Sequence, residues 1–371
     1  MQRLIGVTFL ILLLCAGATY AQTETPASTP EAPPQAANVQ QVRATTVRVT
    51  IRTCAKTSCA TMATYSEMTP LFVLGSEQGD SIQGDSTWYS IRDTISGQTG
   101  YINDVFTTVG SFKDWQLRPV VPVKVSDEMK QIYQQGLARG NDPDAFSKVG
   151  DCQNVTPYFL APFDDKSNYD LGPYTSLQAT IDHFAGSFGR VSASVDNGYN
   201  VASVLSPLWA NHAICKGGET PLACEERLHH PSIVIINMET WWQHRPASEY
   251  ANYLDQIVQY WLSLDVVPIV STKADDLEGD GSIDAAIVAI ADKYQIPLWN
   301  FWLATQQLPD HGLGKDGFHL TFARDFYNDP ARMEAGWPIR NLTALESIDA
   351  VYRAVSGDSG AAATATAQAG S

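Results

Sequence analysis

A cysteine closes the run Lys148-Val149-Gly150-Asp151-Cys152, where a short apolar strand candidate ends in Gly-Asp-Cys. A serine in that place would read as a hydrolytic nucleophile. A thiol can do the same work, because the thiolate is a strong nucleophile and a neighbouring imidazolium lowers its pKa below about 8.5. Far along the chain, "GLGKDGFHLT" (312–321) supplies Asp316 and, three residues later, His319. Imidazole accepts a nucleophile's proton only when its other nitrogen is held in the right tautomer, and a carboxylate does that. The three residue types together support attack on a carbonyl by Cys152, with His319 as general base and then acid, and Asp316 as its orienter.

Other candidates read differently. "DDLEGDGSID" (275–284) sets Asp276, Glu278, Asp280, Gly281 and Asp284 at calcium-loop spacing, but Ile287 stands where the bidentate glutamate belongs, so a solvated loop is expected. His229 and His230 have no Cys, Asp or Glu set at ligand spacing and read as a surface loop. No metal and no redox cofactor is implied. Cys54 and Cys59, and Cys215 and Cys224, flank short loops that an oxidising compartment can close as disulfides. Cys152 is the odd one, and the plain alternative for it is a small buried hydrophobe.

The elements that must position these residues follow from the pattern of apolar runs. Residues 1–21 carry Arg3, an apolar run from Leu4 to Leu14, and small residues at Ala18 and Ala21, as an export signal does. Leu14 before Cys15 argues against a lipoprotein site. Residues 22–37 and 357–371 are Pro/Ala/Thr-rich or Ala/Thr/Gly-rich with little to bury, and are expected to be disordered. Residues 38–110 hold short β-branched runs broken by turn formers and predict a small all-β barrel. Residues 111–125 read as a linker. From Ser126 to Ser356 the strand candidates "FSKV", "RVSASV", "SIVIIN", "VVPIVST" and "IPLWNF" alternate with helical stretches. That alternation predicts a five-stranded parallel sheet covered on both faces, with ligands beyond the carboxyl ends of its strands. Gly150-Asp151-Cys152 follows the first strand and Asp316/His319 the fifth, so both belong on one rim.

A nucleophile after the first strand and an Asp-x-x-His near the end of an α/β domain resemble the SGNH (GDSL-type) hydrolase superfamily, over roughly residues 140–355. The likeness is strengthened by "NYDLGPYTSLQATIDHF" and "VPIVSTKAD". The resemblance implies a three-layer, flavodoxin-like domain and an ester hydrolase. It places Cys152 at the nucleophile serine, Gly198 of "VDNGYNVASVL" at the glycine whose amide helps form the oxyanion hole with that of Cys152, and Asp316 and His319 at the acid and base. It departs at the third block, where the family carries "GTND" and this chain reads "PSIVIINMETWW". The oxyanion asparagine is missing there unless Asn237 reaches in. Trp241 and Trp242 at that place would line a substrate pocket or pack.

Residues 38–110 resemble the bacterial SH3-type (SH3b) domain through "IRTCAKTSC", "WYSIR" and "GYIND". That likeness implies targeting of cell-wall or surface material, with Trp88, Tyr89 and Tyr101 lining a groove or filling a small core.

The formal net charge is −16, from 24 Lys+Arg against 40 Asp+Glu, which repels a phosphate backbone and argues against nucleic acid or an anionic membrane as partner. No stretch after the leader approaches the roughly 20 apolar residues of a membrane span. Two functions are therefore expected of a secreted or extracellular protein. One is hydrolysis of an ester, such as an acyl or acetyl group on an extracellular or cell-wall glycan. The other is non-catalytic binding of carbohydrate or cell-wall material, which the joint loss of serine and asparagine supports.

Overall fold

In the computed structural model of the chain, the described residues are 39–238, 242 and 244–357. The expected export signal, the linker 22–37, the tail beyond Gly357 and Trp241 lie outside them. The first part is a sheet of β1 (Gln41–Thr45), β2 (Val49–Arg52), β3 (Thr61–Tyr65), β4 (Pro70–Ile82), β5 (Asp85–Arg92), β6 (Thr99–Asn103) and β7 (Thr107–Val109). They pair antiparallel in the order β3-β2-β6-β5-β4-β1-β7. Among the described residues no ladder joins the edge strands β3 and β7. Gln83 and Gly84 make the two-residue turn between β4 and β5 with φ of 52° and 92°, the sign that tight hairpins need. Ile51, Tyr65, Leu71, Val73, Ile91 and Ile102 form the buried core. Trp88 is buried and donates its indole N–H to the Asp80 carbonyl at 2.8 Å, so it packs rather than lining a groove.

The second part runs α1 (Asp127–Arg139), β8 (Asp142–Gly150), β9 (Tyr169–Asp170), α2 (Gln178–His183), α3 (Pro221–His229), β10 (Pro231–Asn237), α4 (Ala247–Ser263), β11 (Val267–Ser271), α5 (Ser282–Tyr294), β12 (Leu298–Trp299), α6 (Phe301–Gln306), β13 (Asp325–Phe326) and α7 (Gly336–Ser356). Local chemistry sets the ends: Ser126 caps α1 by accepting from the Met129 amide, and Gly140 closes it at φ 108°. The main sheet is parallel, in the order β12-β11-β10-β8. Every residue of β10 and β11 is buried, so both faces are covered, with α1 against α7 and α4 against α5. No helix among the described residues is long and apolar enough to cross a membrane. Cys54 with Cys59 and Cys215 with Cys224 stand as disulfide pairs.

Three expectations are corrected here. The sheet has four strands, not five, because "RVSASV" gives only a single parallel bridge, Gly150 to Val195. The Ser192 and Ser194 hydroxyls both donate to the Lys148 carbonyl, at 2.7 and 3.0 Å, and so take the place of a backbone ladder. Residues 111–125, read as a linker, are packed: Val120 and Val125 enter the α/β core, and Trp115 lies edge-on to Trp302 at 5.2 Å. His229 and His230 end α3 instead of lying in a loop, beside Glu225 and Glu226.

The two parts are joined by more than the chain. In the turn between β3 and β4, Ser66 donates its amide to the Gln307 carbonyl at 3.2 Å and its hydroxyl to that of Leu308, and Thr69 donates its hydroxyl to Gln306 at 2.9 Å.

Candidate active site

β8 delivers the nucleophile candidate to the carboxyl edge of the sheet. At its last residue a Cβ would lie 1.9 Å from the Asn154 side-chain nitrogen, so only glycine fits Gly150 with Asn154 folded back beneath it. Asp151 then caps a one-turn helix, Cys152–Asn154, accepting from the Gln153 amide at 2.9 Å. Cys152 is half-buried and outside both disulfides.

The acid–base candidates sit on a hairpin between α6 and β13. Leu313 pairs with Leu320, the Gly314 amide donates to the His319 carbonyl at 2.7 Å, and Gly317 turns the loop at φ 69°. Thr321 anchors it: its amide donates to Gly312, while its hydroxyl and carbonyl accept the first two amides of α7.

The hairpin meets the nucleophile turn. Cys152 Sγ lies 3.9 Å from His319 Nε2, and His319 Nδ1 lies 2.6 Å from Asp316 Oδ2. The other Asp316 oxygen accepts the Phe318 and His319 amides at 3.1 and 3.0 Å. The His319 bond first, and then these amides, pull the Asp316 carboxyl down to about 2, so it is a carboxylate at any ordinary pH. A fixed carboxylate on Nδ1 makes that nitrogen the proton carrier and leaves Nε2 to face the sulfur. The His319 and Asp316 side chains are 59% and 53% exposed, so the pair is open to water.

The remaining candidates separate. Gly198 has φ 81°, a conformation that suits glycine, and its amide has no hydrogen-bond partner among the described residues. Asn237 does not reach the site: its side-chain oxygen accepts from the Arg340 guanidinium and its nitrogen faces the Thr272 carbonyl at 3.5 Å. Trp242 is 5% exposed, edge-on to Tyr250 and Tyr253, with its indole N–H on the Pro246 carbonyl, so it packs under the rim instead of facing a ligand. Of the acidic loop, Asp276, Glu278 and Asp280 come together, yet Glu278 pairs with Lys273 at 2.6 Å, and Asp276 and Asp280 cap the Gly281 and Ser282 amides.

Three residues that organise the site escape sequence reasoning. Gln153 bridges the nucleophile turn to the Phe318 carbonyl. Asn154 donates to the Asn237 carbonyl at 2.7 Å and accepts from Arg340 at 3.2 Å. Arg340, 0% exposed, lies among the rings of Phe159, Phe301, Trp299 and Trp337 at 4.7 to 5.9 Å. An arginine inside the otherwise apolar start of α7 is the one signal that could have flagged it.

No family model matches the chain, and no curated protein does. Among solved structures its neighbours are GDSL/SGNH hydrolases. It is similar to a GDSL-like lipase from Bacteroides thetaiotaomicron at 13% identity, over 60% of this chain and 97% of that one, with a TM-score of 0.36. A psychrotrophic esterase from Pseudoalteromonas sp. gives 12% identity over 56% and 97%, TM-score 0.36. A mutant acetyl-xylooligosaccharide esterase from Geobacillus gives 16% over 55% and 93%, TM-score 0.35. TM-scores this low leave the chemistry to be drawn from the residues of this chain.

Proposed function

We propose that the protein is an exported ester hydrolase with a cysteine nucleophile. The observation that carries this is the line Cys152 Sγ, His319, Asp316, at 3.9 and 2.6 Å, on the carboxyl rim of a parallel sheet. In this reading the thiol proton passes to His319 Nε2 as Sγ attacks the ester carbonyl carbon. The oxyanion takes the Cys152 and Gly198 amides, and the imidazolium returns its proton to the departing alkoxide. Water, deprotonated by the same nitrogen, then cleaves the thioester and restores the thiol. The two disulfide pairs fit an oxidising compartment. The substrates we favour are acyl or acetyl esters of extracellular glycans, with the N-terminal sheet acting as an SH3-type module toward cell-wall or surface material.

A second reading, a binding protein that has lost catalysis, draws on Asn237, whose amide is committed to Arg340 and Thr272. Loss of one oxyanion donor costs about 10²–10³ in rate.

Hydrolysis of a small chromogenic acetyl ester, with Cys152→Ala, Cys152→Ser and His319→Ala beside wild type, separates the two. Turnover by wild type, abolished in Cys152→Ala and His319→Ala, is expected. Silence of wild type with gain in Cys152→Ser would mean an intact frame around a disabled nucleophile. Silence in all four would favour the binding protein.

A further inference from the structure

The nucleophile turn borders a cleft that the reaction scheme leaves unused. Its volume is about 420 Å³, within the roughly 300–1,000 Å³ of small-ligand sites. One wall is the chain from Asn154 to Tyr158, directly after Cys152. The other is the stretch from Val191 to Tyr199, with Asn211 and Ile214 beyond it. The Gly150–Val195 bridge holds the two walls together at the end of β8.

The lining combines one open aromatic ring with short neutral polar groups. Tyr158 is 47% exposed although it packs edge-on to Phe322 and tilted against Trp337, at 6.1 and 5.6 Å, so the ring is fixed and still offers surface. The Thr156 hydroxyl, the Asn197 side-chain amide and the Asn211 side-chain nitrogen take no hydrogen-bond partner among the described residues. Asp196 spends one carboxylate oxygen on the Asn197 backbone N–H and keeps the other. The far wall is rigid: Cys215 is tied to Cys224, and the Ile214 and Cys215 amides both donate to the Asn211 carbonyl.

This chemistry selects among ligands. The lining holds no Lys, Arg or His and one aspartate, on a chain of net charge −16, which disfavours an anion. Its polar groups would be left without partners under a bare acyl chain, which is costly. A hydroxyl-rich neutral ring satisfies both requirements, with one face on Tyr158 and its hydroxyls on the amides and the carboxylate.

We infer that the cleft between Thr156–Tyr158 and Asp196–Asn211 is a binding subsite for a neutral oligosaccharide. Its link to catalysis rests on the proposed function. Asn154, at the edge of the cleft, closes the one-turn helix that begins at Cys152, so a glycan seated in the cleft lies beside the nucleophile turn.

The test is calorimetric binding of cellohexaose, xylohexaose and N-acetylchitohexaose to full-length Cys152→Ala protein, with a hexagalacturonate as the anionic control. At least one neutral hexamer is expected to bind and the control to fail. Tyr158→Ala should weaken binding about tenfold, and Asn197→Ala and Asn211→Ala should each weaken it by at least threefold. The two asparagines are exposed, so their variants stand even if Tyr158→Ala melts early. Absence of binding by all three neutral hexamers at millimolar concentration, tighter binding of the control, or affinity indifferent to both asparagine variants would overturn the inference. Binding is read on a protein without the thiol and hydrolysis on a small ester, so failure of one leaves the other standing.

Discussion

Gln153 donates its side-chain amide to the Phe318 carbonyl at 2.9 Å, both residues being buried. One is the neighbour of Cys152 and the other of His319, so this bond is a crossbar that sets the sulfur–imidazole spacing. Gln153→Leu keeps the bulk but orphans the carbonyl, which should cost about 1–3 kcal/mol in stability. The slackened spacing should lower kcat on a small acetyl ester by about 10²-fold while KM changes little. Steady-state kinetics and a melting curve check both, and an unchanged kcat would relegate Gln153 to packing.

Asp316→Asn should lower turnover by about 10⁴-fold, since the amide favours the wrong tautomer of His319. The carboxyl of Asp316, held near 2 by His319 and two amides, is already ionised throughout the working range. The acid limb of the wild-type pH–rate profile must therefore belong to another group. A variant within threefold of wild type would remove Asp316 from the reaction.

Asp325 lies buried beside Asn341 and Tyr327, and burial raises its carboxyl to about 7 against hydrogen bonds that pull it down. The folded state thus holds a proton that the unfolded chain releases near 3.8. Stability from this group is complete below about 3.8 and is lost as pH rises through about 7, at up to about 1.4 kcal/mol per unit. Asp325→Asn should flatten the fall of Tm between pH 4 and 7. A slope unchanged in the variant would assign the effect elsewhere.

Arg340→Met should destabilise by about 2–5 kcal/mol, because the Asn154 and Asn237 oxygens lose a charged donor inside the core. Arg340→Lys should recover little, as an ammonium cannot reproduce the flat fork lying among four rings. Urea denaturation of the three proteins decides this, and full recovery by lysine would contradict it.

The sequence announced those parts of the site that depend on residue identity. A thiol after Gly-Asp, and an aspartate three residues before a histidine, stand out by residue type, and the structure brings the three side chains together. Contacts made by amides do not: the Gln153–Phe318 bond spans 165 residues, and neither residue type is distinctive alone. The fifth strand misled for a related reason, since "RVSASV" has strand periodicity but its serine hydroxyls satisfy the Lys148 carbonyl that a ladder would use. Residues 111–125 read as a linker because their four valines, interrupted by Pro119 and Pro122, show no sustained helical or strand period, although Val120 and Val125 reach the core.

The grip of Ser66 and Thr69 on Gln306, Gln307 and Leu308 has a consequence for how the chain comes apart. A cut between the sheet and the α/β part would uncover those three carbonyls and the one amide and two hydroxyls that serve them, just ahead of the hairpin that carries His319. Two halves that look like beads on a string in the sequence pack as one compact unit, and heat should melt them in a single transition.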